Sequence, residues 1–451
     1  MTNLLSRFRH AFQFIVTSIG FYPTLISLLF FALAVFTIYL ETQGLSNSLK
    51  EEMPFIIITH GETATMILSS IATGVFSLIV FSFTMVMLVL NQASSNFSPR
   101  VIPGLISSKS NQKVLGIFMG TLIYTLVVMV NIRSEYYDAD LPGLAVFLAM
   151  CFTFLCLASF VYFIHSISTA IQIDNILESI YKVTLDKLRQ EIEQDEGVVP
   201  PGASEVKDWH PLKSISSGYL QEIDREPIIK LCQKHDVVLE FLQPLGQFVV
   251  KGIPFARISR KLEREADFCQ ALNSHINYYQ EELTSLNYLY GFKQITESAV
   301  KALSPGINDP GTAIRAIDYL TDLLVVRMQL TEEKVFHDEE QVLRLRLDEV
   351  KFADLLSLCL GPVRTYGKSD PIILQRLLHL LQNVLFLAPD FRKYIPALHK
   401  EALLVIQDAA CSIHNPGDIE LLNNKLREMN ALEALHPKLP LLKVPPLALM
   451  S

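Results

Sequence analysis

The residues best placed to do chemistry in this chain form a single stripe. Thr63, Ser70, Ser77, Thr84, Asn91 and Ser98 recur at every seventh position along one long apolar run, with Thr73, Gly74 and Ser95 close to the same line. A seven-residue repeat keeps one face of a helix in register along a left-handed bundle. Small and hydroxylated side chains on such a face admit two readings. They can let helices approach closely and bond across the contact, or they can line a wetted, uncharged pathway. In both readings the face turns to protein or water, because lipid offers hydroxyl groups no partner. The stripe continues into Asn91-Gln92-Ala93-Ser94-Ser95-Asn96, so this helix is expected to project beyond the hydrocarbon.

Other candidates are more local. His165 is the only ionisable group of a later apolar run; it reads either as a proton or ligand site or as a histidine satisfied at the membrane interface. Arg100, in Phe97-Ser98-Pro99-Arg100, reads as an interface anchor pairing with lipid phosphate, with Pro99 bending or ending the helix. A connector follows much later, Ala302-Leu303-Ser304-Pro305-Gly306-Ile307-Asn308-Asp309-Pro310-Gly311-Thr312-Ala313. Ser304-Pro305 and Asp309-Pro310 each look like a cap followed by proline at the first helical position. Gly306 and Asn308 suit a tight turn between them. The connector reads as a helix–helix joint; free N–H groups at a helix start could instead hold an anion, although the Asp309 carboxylate would compete for those donors.

No phosphate-binding GxxxxGK[ST], HExxH, GxSxG or GxGxxG run occurs. His275, His379, His399 and His414 stand apart, and Glu281-Glu282 and Glu332-Glu333 read as solvated faces. The six cysteines show no CxxC or Cys/His cluster, and Cys151 and Cys156 lie inside an apolar run. No enzyme, metal site or cofactor is therefore expected.

The elements that must carry these residues divide the chain in two. Half of its 451 residues are hydrophobic, and the long apolar runs are concentrated before about residue 170. A span needs about 20 apolar residues. Four runs qualify, at 21–40, 64–90, 114–132 and 144–171. The first lacks a cleavage site and is read as retained. Arg7, Arg9, Arg100, Lys109 and Lys113 flank one side, whereas Lys50 and Arg133 are outnumbered by acids on the other. This bias places both termini and the second loop in the cytoplasm. The net charge of -8 gives no broad attraction to nucleic acid.

After the spans, 171–212 reads as a connecting helix and linker. Its apolar positions are Ile173, Ile176, Leu177, Ile180, Val183 and Leu188, and Gly197–Gly202 interrupts the pattern. Residues 213–260 read as a small β module, with strands in Ile215–Ile223, Val237–Phe241 and Leu245–Ile258 around a helical insert, Pro227–His235. This stretch resembles the biotinyl/lipoyl barrel-sandwich module. That family's carrier lysine has no counterpart here, so the module is expected to be structural. Residues 261–435 read as helical, with helices near 313–330, 338–361, 370–388 and 392–413, and the Pro-rich tail from His436 reads as extended.

Three segments together, Ser94–Arg100, Gly246–Ala256 and Ala302–Ala313, resemble the bacterial predicted-membrane-protein family known as domain of unknown function 2254. Ser-Pro-Gly-Ile-Asn-Asp-Pro is the most specific of its motifs. The resemblance implies an inner-membrane location and a two-part layout, and supplies no activity. The expected fold is a mainly α membrane protein with four transmembrane helices and a cytoplasmic α+β domain. The expected function is an oligomeric, channel-like or transport-related protein whose cytoplasmic domain assembles or gates it. The alternative is a membrane-anchored scaffold or sensor without transport. The expected partners are membrane lipid, further copies of the chain and, for the alternative, a cytoplasmic protein.

Overall fold

A computed structural model describes residues 20–43, 60–96, 109–132, 142–170, 173–194, 209–279, 282, 284–433 and 435–444. The chain divides into two compact units between Asn175 and Ile176. The first holds four long apolar helices, α1 (Phe21–Thr42), α2 (Gly61–Asn96), α3 (Lys109–Asn131) and α4 (Gly143–Ala170). Each contains at least 22 residues apolar enough to cross a bilayer, whose hydrocarbon core is about 30 Å thick.

Two glycines decide which of these helices pair most closely. Gly116 and Gly120 lie one turn apart on α3. A Cβ at Gly116 would come within 2.8 Å of the Ile26 side chain, and one at Gly120 within 2.7 Å of the Phe30 ring. Small residues four apart let the backbones of α1 and α3 approach, which is how helices associate where no hydrophobic effect drives them together. Polar groups then tie the contacts. The Thr37 and Tyr124 hydroxyls lie 3.2 Å apart, and Tyr124 donates to the Ala145 carbonyl at 3.2 Å. Cys156 donates to Thr121 Oγ1 at 3.3 Å, and Ser166 to Asn111 Oδ1 at 3.2 Å. Each such bond contributes about 0.6 kcal/mol. At the start of α4, Glu41 Oε1 accepts from the Leu144 and Ala145 N–H groups at 2.8 and 3.1 Å. This carboxylate answers donors that a helix start leaves unpaired.

The second unit begins on α5 (Ile173–Glu193). Ile176, Leu177, Ile180 and Leu188 are buried as their spacing predicts, whereas Val183 is exposed. Thr184 takes the inward position instead. A Cβ at Gly291 would fall 1.7 Å from its Oγ1, so α5 packs against a notch that only glycine leaves open.

Two sheets follow. One runs β1 (His210–Lys213), β5 (Pro254–Ile258), β3 (Leu239–Phe241), β8 (Leu343–Asp348), β7 (Glu333–His337), in that spatial order. Its β3–β8 pair is parallel and its other pairs are antiparallel. The second runs β4 (Phe248–Val249), β2 (Gly218–Ile223), β6 (Ile276–Tyr279). Between β2 and β3 stands α6 (Arg225–His235), and between β5 and β6 stands α7 (Glu265–Asn273). The β module is thus larger than 213–260: β6, β7 and β8 lie in the stretch expected to be wholly helical. The expected helix 338–361 is instead the turn after β7, strand β8 and the first part of α10 (Phe352–Gly367). Alternation decides this. Leu343, Leu345 and Leu347 point into the core on either side of Arg344 and Arg346, a period of two and not of 3.6.

The remaining helices are α8 (Tyr288–Ala302), α9 (Pro310–Arg327), α11 (Pro371–Leu387), α12 (Ile395–Ser412) and α13 (Pro416–Asn430). Asp309, Asp370 and Asn415 cap α9, α11 and α13 with a side-chain acceptor, each followed by proline at the first turn. Residues 435–444 of the tail form neither helix nor strand. Asn430 and Asn423 clamp its backbone at Leu439 and Leu442, each donating and accepting one bond of 2.8–3.0 Å.

Candidate functional site

In the first unit the stripe lies on α2, a helix of 36 residues and about 54 Å at 1.5 Å per residue. Its buried seam is Ala64, Leu68, Ile71, Val75, Ser82 and Val89, stepping by three, four and seven as a coiled-coil seam does. Thr63, Ser70, Thr73, Ser77, Thr84 and Asn91 all lie off that seam and are exposed. Only 17 % of the second span is buried, against 44 % of the third. Ser95 falls on the last turn of α2, while Ser98, Pro99 and Arg100 lie outside the described residues.

The stripe hydroxyls have partners within their own helix. Ser70 donates to the Met66 carbonyl at 2.8 Å, and Thr73, Ser77 and Thr84 donate to Ser69, Thr73 and Val80 at 2.9 Å each. The hydroxyl protons are therefore turned back along the helix, and the oxygen lone pairs are left facing outward. A Cβ at Gly74 would meet nothing within 4 Å. His165 is exposed on α4, a different helix from the stripe.

In the second unit the connector is a joint between α8 and α9. Asp309 Oδ1 accepts from the Thr312 N–H at 3.1 Å and Oδ2 from the Thr312 hydroxyl at 2.6 Å. The donor that an anion would use is thus taken by the chain itself. Asn308 adopts a left-handed φ of 49°, a conformation asparagine tolerates better than most residues. Ser304 does not begin a helix. Its hydroxyl donates back to the Lys301 carbonyl at 2.6 Å, closing α8, and residues 305–307 form a turn. Pro305, Gly306 and Pro310 are exposed.

A chain of buried charges, not singled out from the sequence, underlies a cavity of about 520 Å³ lined by Lys187, Glu191, Arg225, Asn287, Tyr288 and Glu349 among others. Glu191 on α5 meets Lys187 at 3.0 Å and Lys334 on β7 at 3.1 Å. Lys334 also meets Glu349 at 2.8 Å. Tyr288 donates to Glu349 at 2.8 Å, and Arg327 Nε donates to the Tyr288 oxygen at 3.1 Å. Arg327 is 0 % exposed; its remaining donors reach the Leu330 and Val350 carbonyls at 2.9 and 2.6 Å. Burial acts to raise the Glu191 carboxyl, and Lys334 and Lys187 outweigh it, so the group sits below its ordinary value. Burial pushes the Tyr288 phenol well above its ordinary value, so it stays protonated and donates. A sequence signal for Arg327 does exist. It follows Ile317, Leu320 and Leu324 on the buried face of α9, where a cation needs partners.

These observations define a multi-pass membrane protein with a mixed α+β second unit. The chain belongs to the family of predicted membrane proteins called DUF2254, whose model matches residues 16–383. It is 30 % identical over 337 residues to an uncharacterised Mycobacterium tuberculosis protein, Rv1290c, and likewise to Mb1321c of Mycobacterium bovis. Each match takes in 72 % of this chain and 64 % of the relative. The chain thus spans under two thirds of the length of the curated relatives it matches. No solved structure matches it.

Proposed function

We propose that this protein is a homo-oligomeric, channel-like or transport-related component of the bacterial inner membrane, with the α2 stripe at its working face and the second unit serving assembly or gating. The observation that carries this reading is the separation of two faces on α2. The apolar seam packs inside the chain, and the hydroxyl face remains open to a neighbour or to water. An uncharged face of oxygen lone pairs suits passage of a polar species or close packing against a second copy. The lysine and arginine bias of the loops supports cytoplasmic termini.

Single cysteines at Ser70, Ser77 and Thr84 test it, with the protein reconstituted in planar bilayers. Reaction of all three sites with a small water-soluble thiol reagent, together with conductance or solute flux, is the expected result. Crosslinking between subunits without reagent access would make the stripe an oligomer contact only. Quenching of all three sites by lipid-borne quenchers would defeat both. The scaffold or sensor reading is favoured by one observation, the charged cavity beside Glu191 and Tyr288, and predicts no conductance under voltage, tension or osmotic challenge.

A further inference from the structure

Four exposed apolar side chains of the second unit stand where two turns meet. Phe248 is 52 % exposed, Val250 45 %, Ile253 51 % and Ile215 43 %. Between them only Val249 turns inward, into the core of the β module. The turns hold each other in place. Ser214 N–H donates to the Ile253 carbonyl at 3.0 Å and Gly252 N–H to the Ser214 carbonyl at 2.8 Å. Lys251 N–H donates to Ser217 Oγ at 2.9 Å. Gly252 has a φ of +87°, which a residue with a Cβ resists. Four apolar side chains are thus displayed on a backbone fixed in advance.

The two segments that form this tip carry charges of one sign. Lys213 and Lys251 are exposed, and no Asp or Glu occurs between Lys213 and Gln221 or between Phe241 and Ile258. Arg257, the other cation of these segments, is paired with Glu240 at 2.8 Å. In a chain with a net charge of -8, two segments that carry lysines and no acid are a local reversal. Apolar side chains rimmed by lysines are what a surface of anionic lipid selects: the side chains enter the headgroup boundary while the ammonium groups meet phosphate. A second copy offers a poorer match, since it brings the same two lysines to the same place.

We infer that the tip formed by Ile215, Phe248, Val250 and Ile253 is a docking surface for anionic lipid headgroups, with Lys213 and Lys251 supplying the charge. The same chain carries four helices apolar enough to cross a membrane, and tethering of that kind makes a weak contact effective. The inference is independent of any pathway along α2.

The test uses the full chain in nanodiscs, with the exposed Cys151 and Cys411 replaced by serine and an environment-sensitive fluorophore on Val250→Cys. Discs of phosphatidylcholine with phosphatidylglycerol are compared with discs of phosphatidylcholine alone. The expected result is blue-shifted emission and quenching by a headgroup-depth nitroxide lipid in the anionic discs. Each Lys→Glu change at Lys213 or Lys251 should reduce the anionic-lipid preference by on the order of five-fold. A label on Ile253→Cys should repeat the pattern, which guards against a local disturbance at one site. Emission and quenching that are the same in both discs would overturn the inference, as would a disulfide formed under mild oxidant between the unlabelled Val250→Cys side chains of two copies in either disc.

Discussion

The second and third spans use the same residue types to opposite ends. In α3 the small and hydroxylated residues are spent inward. Gly116 and Gly120 receive Ile26 and Phe30, Thr121 accepts from Cys156, and Tyr124 links α1 to α4. In α2 they are spent on nothing outside the helix. Gly74 faces open space and the hydroxyls close on their own carbonyls. Seen as sequence both helices carry small and hydroxylated residues within apolar runs. Their difference lies in whether the partner belongs to the same chain. A polar group buried against a neighbour ties two helices together, while the α2 hydroxyls are satisfied within their own helix.

The sharpest form of the inward case is Arg327, and breaking it should have the largest effect. Arg327→Met removes the cation that faces Tyr288 and two carbonyls. Removing one partner of such a buried charged network costs about 3–5 kcal/mol. Denaturant unfolding followed by hydrogen exchange at α8 and α9 would measure it. A loss under 1 kcal/mol would show that water replaces the guanidinium.

Within the membrane the comparison predicts an asymmetry between two glycines. Gly120→Leu forces a side chain into the Phe30 ring and should destabilise the first unit by about 1–3 kcal/mol. Gly74→Leu, facing open space, should leave the stability of the single chain within about 0.5 kcal/mol while changing the oligomer. Thermal unfolding in detergent, paired with native mass spectrometry, reads both. Equal destabilisation by the two changes would erase the distinction between the helices.

A modest effect belongs to the connector. Asp309→Ala removes the acceptor for Thr312 and should cost about 1 kcal/mol, as cap removal does. An equally stable variant that fails in cells would place a ligand or partner there.

What was legible in the sequence follows the range of the forces. Spans are set by unbroken apolar runs, and α1 to α4 stand where those runs are. The Asp-Pro starts of α9 and α11 were equally plain, because a cap acts on the next three residues. Strand β8 falls inside the stretch 338–361 expected to be helix, although Leu343 to Leu347 alternates. Its parallel partner is β3, and the pairing of Leu239 with Leu345 leaves no local trace. The ionic chain from Glu191 to Arg327 is hidden for the same reason, since its members come from α5, β7, α8 and α9 and the turn after β8. The stripe was legible as a pattern. Its environment was not: the argument that hydroxyls need a neighbour overlooks the carbonyl four residues back, which satisfies the proton whichever way the face points.

The bonding of α2 also sets what it is free to do. Among the described residues, no side-chain hydrogen bond joins it to another helix, and its ring contact with α4, Phe81 on Phe160 at 5.7 Å, is apolar. The other three helices are braced: α1 to α4 through Glu41, α1 to α3 through Thr37, and α3 to α4 at both ends. A rod seated against a braced frame by grease alone has one inexpensive coordinate, rotation about its own axis. A turn of α2 would exchange one set of dispersion contacts for another and leave the Ser70, Thr73, Ser77 and Thr84 bonds intact, because those four hydroxyls carry their acceptors with them. Only Ser82, buried in the seam, would change its surroundings.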